Sequence, residues 1–135
     1  MPRNKKSRRI GYMSSIKHFA PIKRNAIVSR EENKDVILTN EEFETIRLID
    51  YKGYTQVECS KSMNIARTTV QQLYTDARYK ISQMLIDARH LFVEGGTVEV
   101  FDDEILEREV GIPDDYNFRM RQRRHRNRQN RNNFN

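Results

Sequence analysis

Val70, Leu73, Ala77, Ile81 and Met84 recur at steps of three and four residues, the spacing of one face of an α-helix. The residues between them are polar, so the pattern predicts an amphipathic helix from Arg67 to about Arg89. Upstream, Val57, Cys59, Met63 and Ile65 supply the apolar surface of a shorter helix. Thr55 followed by Glu58 is the signature of a capping box at its start. Met63-Asn64-Ile65 predicts the turn between the two helices, because Asn tolerates the left-handed conformation of a tight turn. A second capping box, Thr39 to Glu42, opens another helix that runs to about Tyr51 and stops before Gly53. Phe43, Ile46, Leu48 and Ile49 face inward in this reading, with Leu38 and Phe43 as a hydrophobic staple. Three helices can enclose a core that two cannot.

Apolar runs outside the helices are short. Ile10–Met13 predicts a strand, and His18 to Pro21 an extended segment. Residues 22–35 read as a surface loop. Leu91–Val93 and Val98–Val100 flank Gly95-Gly96 and predict a β-hairpin, with the Ile10–Met13 segment as its expected partner. Glu104–Val110 predicts a short helix ended by Gly111-Ile112-Pro113. The expected fold class is therefore mainly α: a three-helix helix-turn-helix unit with a small β-hairpin or sheet appended and disordered basic ends. The expected division is a basic arm with strand and loop over 1–35, the helix-turn-helix domain over 36–90 and the hairpin over 91–101. An acidic segment follows over 102–116, and an Arg/Asn-rich tail over 117–135.

Charge changes this picture by its distribution. The net value is +6 over 135 residues. Residues 1–30 carry nine basic and no acidic side chains, residues 93–116 one basic and nine acidic, and residues 117–135 seven basic and none acidic. Two basic ends thus flank a more balanced helical unit and an acidic strap. The tail, RMRQRRHRNRQNRNN, has the composition of a nonspecific nucleic-acid anchor, or of a lid that folds onto the strap. The first is preferred, because a solvated flexible ion pair is weak.

The polar side of the Arg67 helix shows Arg67, Thr68, Gln71, Gln72, Thr75 and Arg78. An arginine can fork onto guanine, a glutamine onto adenine, and threonine can bond phosphate or touch a thymine methyl. Asp76 is expected to pair with Lys80 four residues on. Arg3, Lys5, Lys6, Arg8 and Arg9 of the arm are the expected phosphate contacts. A single cysteine, Cys59, excludes an internal disulfide and a site of paired thiolates. It reads as a small buried hydrophobe. His18, His90 and His125 show no ligand spacing, and there is no nucleophile–base signature or glycine-rich phosphate loop. No metal, cofactor or enzymatic activity is expected. No run is apolar enough to span a membrane, and no secretory signal opens the chain, so the expected setting is cytoplasmic, at the nucleoid.

MPRNKKSRRIGYM, LTNEEFETIRLIDYKGYTQVECSKSMNIARTTVQQLYTDARYKI and FVEGG resemble, in this order, the small predicted DNA-binding proteins called domain of unknown function 134. The resemblance covers about residues 1–100. The middle stretch is also similar to region 4 of bacterial sigma factors, which implies major-groove contact by Arg67, Thr68, Gln71 and Gln72. Two positions depart from the pattern. Ala66 stands where relatives commonly carry a capping Ser or Thr, which weakens that cap by roughly 0.5–2 kcal/mol unless Thr68 or Thr69 substitutes. Ser7 stands where many relatives carry a cysteine.

The function expected from the sequence is sequence-specific binding of double-stranded DNA by a transcriptional regulator. Two alternatives stay open: an adaptor that touches RNA polymerase or another protein of the transcription machinery, and a nonspecific RNA- or nucleoid-binding protein. A homodimer through the hairpin or the helix after Met84 also stays open.

Overall fold

The structure is a computed structural model that describes residues 7–31 and 34–112. The order is β1 (Arg8–Ile10), β2 (His18–Phe19), β3 (Ile22–Lys23), β4 (Ala26–Ile27), β5 (Val36–Leu38) and α1 (Asn40–Thr45). A π-helical segment, Ile46–Tyr51, continues α1. Then come α2 (Gln56–Met63), α3 (Arg67–Asp87), β6 (Leu91–Val93), β7 (Val98–Val100) and α4 (Asp103–Val110). The fold is a mixture of helices and small sheets, and this corrects the expectation of a mainly α chain.

The predicted helices form for local reasons. Thr39 accepts from the Glu42 amide and Glu42 accepts from the Thr39 amide, and Thr55 and Glu58 repeat the exchange. Each box satisfies amides that the first helical turn leaves without a partner. Gly53 sits at φ 83°, where the chain turns toward α2. Asn64 caps α2 in the left-handed conformation, at φ 55° and ψ 49°. α3 ends slightly before the predicted Arg89, because Ala88 adopts φ 50° and ψ 49°.

Two apolar clusters share the α3 stripe. Leu48, Tyr54, Cys59, Met63 and Val70 form one, with Ile49, Ile65, Leu73 and Ile112 against it. Val36, Leu38, Ala77, Leu91 and Val93 form the other, with Phe43, Ile46 and Met84 packed beside them. Phe43 packs beside the cluster that contains Leu38.

The strands depart most from expectation. β6 and β7 do not form a hairpin. β6 lies between β2, antiparallel, and β5, parallel, while β7 pairs in parallel with β1 through Arg8–Val98, Arg9–Glu99 and Ile10–Val100. The first strand is Arg8–Ile10, not Ile10–Met13. Gly95-Gly96 carries a crossover between sheets because it answers to α1. Gly95 O accepts from Asn40 N and Nδ2, and the Thr97 amide donates to Glu41 Oε1 at 2.9 Å. Residues 22–35 are also not wholly a loop: β3 and β4 pair through a turn at Arg24 and Asn25, both at positive φ.

α4 extends the predicted Glu104–Val110 helix by one residue, and Asp102 caps it by accepting from Glu104 N and Ile105 N. It docks by burying Leu106 and by an ionic network. Asp103 accepts from Arg47 Nη1 and Nη2 at 3.1 and 3.0 Å and from Lys52 Nζ at 2.9 Å, and Glu107 also binds Lys52. Beneath them the fully buried Glu44 takes Arg47 Nη2 at 3.0 Å and the Gly11 amide at 2.6 Å. Within the described residues, the acidic strap is therefore held through Asp103 and Glu107 of α4 by cations of the helical body. The expected disordered tail, 117–135, lies outside the described residues.

Candidate nucleic-acid interface

α3 is a 21-residue helix whose sides differ. Val70 and Ala77 are fully buried, with Leu73, Ile81 and Met84 half-buried in line with them. Arg67, Thr68, Gln71, Gln72, Thr75 and Arg78 are all exposed on the remaining surface. The structure brings these six predicted residues onto one open face. α2 and the Asn64 turn fix the angle at which that face is presented.

Two of the six have carboxylate neighbours. Gln72 Nε2 donates to Asp76 Oδ1 at 3.0 Å. Arg78 Nε lies 4.0 Å from Asp50 Oδ2, and its guanidinium sits over the Tyr74 ring at 5.3 Å. The predicted Asp76–Lys80 pair does not form. Lys80 reaches across to Glu42 Oε1 at 2.7 Å, the same oxygen that caps α1, and so ties α3 to α1. The Ala66 cap has no side-chain hydrogen bond, so neither Thr68 nor Thr69 substitutes for the missing hydroxyl.

The arm residues separate into two groups. Arg8 and Arg9, predicted as phosphate contacts, are engaged by the protein. Arg8 pairs with Glu41. Arg9 donates to the Lys61 and Ser62 carbonyls at the end of α2 and to Glu109 Oε2 at 2.8 Å. The reason is their place on β1, which β7 fixes beside α1 and α2. Arg3, Lys5 and Lys6 lie outside the described residues.

Sequence reading missed the His18–His90 pair. The two rings stand 72 residues apart in the chain, yet His18 Nε2 meets His90 Nδ1 at 2.9 Å, and His90 Nε2 meets the Val28 carbonyl at 2.7 Å. Since a carbonyl only accepts, His90 donates from Nε2 and, when neutral, accepts at Nδ1. No local signal could have exposed a contact made by strand pairing. Among the described residues, no three His, Cys, Asp or Glu side chains gather as a metal site. Cys59 is buried, and burial pushes its thiol up to about 12. No helix among the described residues is long and apolar enough to cross a membrane.

The family model described as "Protein of unknown function DUF134" matches residues 1–101. The chain belongs to the DUF134 family. It is 42% identical over 102 residues to a UPF0251 protein of Desulfitobacterium hafniense (strain Y51), covering 76% of this chain and 78% of that one. It is 38% identical over 97 residues to a UPF0251 protein of Pyrococcus abyssi, covering 72% and 86%. A Halothermothrix orenii UPF0251 protein is 42% identical over 96 residues, covering 71% and 68%. No solved structure gives a significant match. The DUF134 match ends one residue past β7, where the parallel pair with β1 closes. α4, with its ionic attachment, lies beyond the DUF134 segment.

Proposed function

We propose that this chain binds double-stranded DNA in a sequence-specific way as a transcriptional regulator, with α3 in the major groove. On this reading, the segment Asn40–Tyr51, α2 and α3 act as a three-helix helix-turn-helix unit similar to region 4 of bacterial sigma factors. The observation that carries the reading is the open row Arg67, Thr68, Gln71, Gln72, Thr75 and Arg78 on the side of α3 opposite its buried stripe. These side chains offer the donors and acceptors that base edges and phosphates require. α2 supports α3 as the first helix of such a motif supports the second. The first turn of α3 lacks a side-chain cap, which suits a backbone phosphate as the partner of its amides.

The engagement of Arg8 and Arg9 shifts the arm's proposed role. Phosphate contact falls to Arg3, Lys5 and Lys6, while Arg8 and Arg9 act as anchors of the arm. A second reading, an adaptor that contacts the transcription machinery, is favoured by one observation. Tyr79, Leu85 and Ile86 in the second half of α3 are exposed at 65%, 69% and 83%. That reading predicts a protein partner whose capture survives nuclease treatment.

Selection of bound sequences from random duplexes, followed by gel shifts, tests the proposal. Arg67→Ala is expected to lower discrimination between selected and scrambled duplexes. Deletion of residues 119–135 is expected to weaken all duplexes alike. Equal loss on every sequence for Arg67→Ala would remove the readout claim.

A further inference from the structure

Asp50 lies at the end of the π-helical segment, beside the open face of α3. Its Oδ1 accepts from the Tyr74 hydroxyl at 2.6 Å, and its Oδ2 stands 4.0 Å from Arg78 Nε. The Arg78 side chain is 64% exposed and that of Asp50 is 42% exposed. Tyr74 lies between them, holding the carboxylate by its hydroxyl and carrying the guanidinium on its ring face. The triad draws one of the two arginines of the open row toward an anionic neighbour.

We infer that Asp50 is a specificity-determining residue that competes with DNA phosphate for Arg78. This rests on the duplex-binding reading above. At the rim of the interface this carboxylate occupies the charge of Arg78 until a better anion replaces it. Nonspecific binding depends almost wholly on cation–phosphate contacts, so it bears the full cost. A cognate site holds the helix through base contacts as well, which compensate for the exchange. Asp50 therefore widens the gap between specific and nonspecific affinity. Tyr74 is a positioning residue that fixes the carboxylate through its hydroxyl.

The test uses the full chain with the selected duplex and a scrambled duplex of equal length, titrated across a series of salt concentrations. Asp50→Asn keeps an oxygen that can accept from Tyr74 and removes the charge. It is expected to raise affinity for the scrambled duplex about two- to fivefold at low salt, and to steepen log K against log salt by about 0.9, one additional phosphate contact. The selected duplex is expected to gain less, so the specificity ratio falls. In an Arg78→Ala background the gain from Asp50→Asn is expected to shrink sharply, because the group under competition is absent. An unchanged slope and ratio would overturn the inference. So would the same gain in the Arg78→Ala background, which would make Asp50 a general repulsive charge. A wild-type chain that binds no duplex at all would instead overturn the proposed function, and the inference would fall with it.

Discussion

Arg9 closes the last turn of α2 through Ser62: its Nε donates to the Ser62 carbonyl at 3.1 Å, while Nη2 donates to the Lys61 carbonyl at 2.8 Å. Carbonyls of a helix's last turn carry negative partial charge, and the guanidinium adds donors there: it reaches the Ser62 carbonyl and the Lys61 carbonyl, which also takes the Asn64 amide. The residues that follow are the Asn64 turn and the start of α3. The arm thus secures the joint between the two helices.

Arg9→Ala is expected to lower stability by about 1.5–3 kcal/mol, the range for hydrogen bonds made by a charged group. Arg9→Lys should recover only part of the loss, since an ammonium cannot span two carbonyls with a planar fork. Urea unfolding of the three proteins checks both statements.

Gly95 and Gly96 are expected to respond differently to alanine. Both have positive φ, at 82° and 91°, so each substitution strains the backbone. At Gly95 the added methyl meets nothing within 4 Å, and the cost stays at the backbone strain alone, about 1–2 kcal/mol. At Gly96 it would run into the Glu41 carboxylate, which binds Arg8 and the Thr97 amide. Gly96→Ala should therefore cost clearly more, and thermal melts of the two variants give the comparison.

Acid is expected to release α4. Burial pushes the Asp103 carboxyl upward, but hydrogen bonds and charge from Arg47 and Lys52 outweigh it and hold the group below the ordinary value of 3.8. The folded state thus binds this proton less readily than the unfolded chain. The stability that Asp103 contributes is fully present above the unfolded value and is lost as pH falls below about 4 through the folded one. Urea unfolding at stepped pH from 7 to 3 should show that loss, and Asp103→Asn should remove its share of the slope.

Cys59 is expected to resist alkylation. Its thiol is buried, and the thiolate that reacts is scarce when the group ionises near 12. Iodoacetamide at pH 8 should label the unfolded chain quickly and the native chain only as it opens. Fast labelling of native protein would contradict the packing of the Leu48–Tyr54–Val70 cluster.

The helices were legible in the sequence because their determinants are local. Thr39 with Glu42 and Thr55 with Glu58 each act across three residues, and the α3 stripe repeats within a turn. The strands were not legible, because each pairs with a distant segment. Gly95-Gly96 looked like a hairpin turn, yet Gly96 is small to admit Glu41 from a helix far away in the chain. The open row on α3 followed from periodicity alone. The fate of the charges did not: Lys80 reached Glu42 instead of Asp76, and Arg9 found Glu109 one hundred residues on.

The parallel register of Arg8 with Val98 sets an order of events during synthesis. A chain made from its N-terminus must carry its first strand unmatched until nearly a hundred further residues have followed. Contacts of such long sequence separation are slow to form. The helical unit, whose contacts are closer together, can be assembled while the arm still waits. β1 is thus made early and is among the last elements to be seated, and a chain that stops short of β7 leaves it without its neighbour.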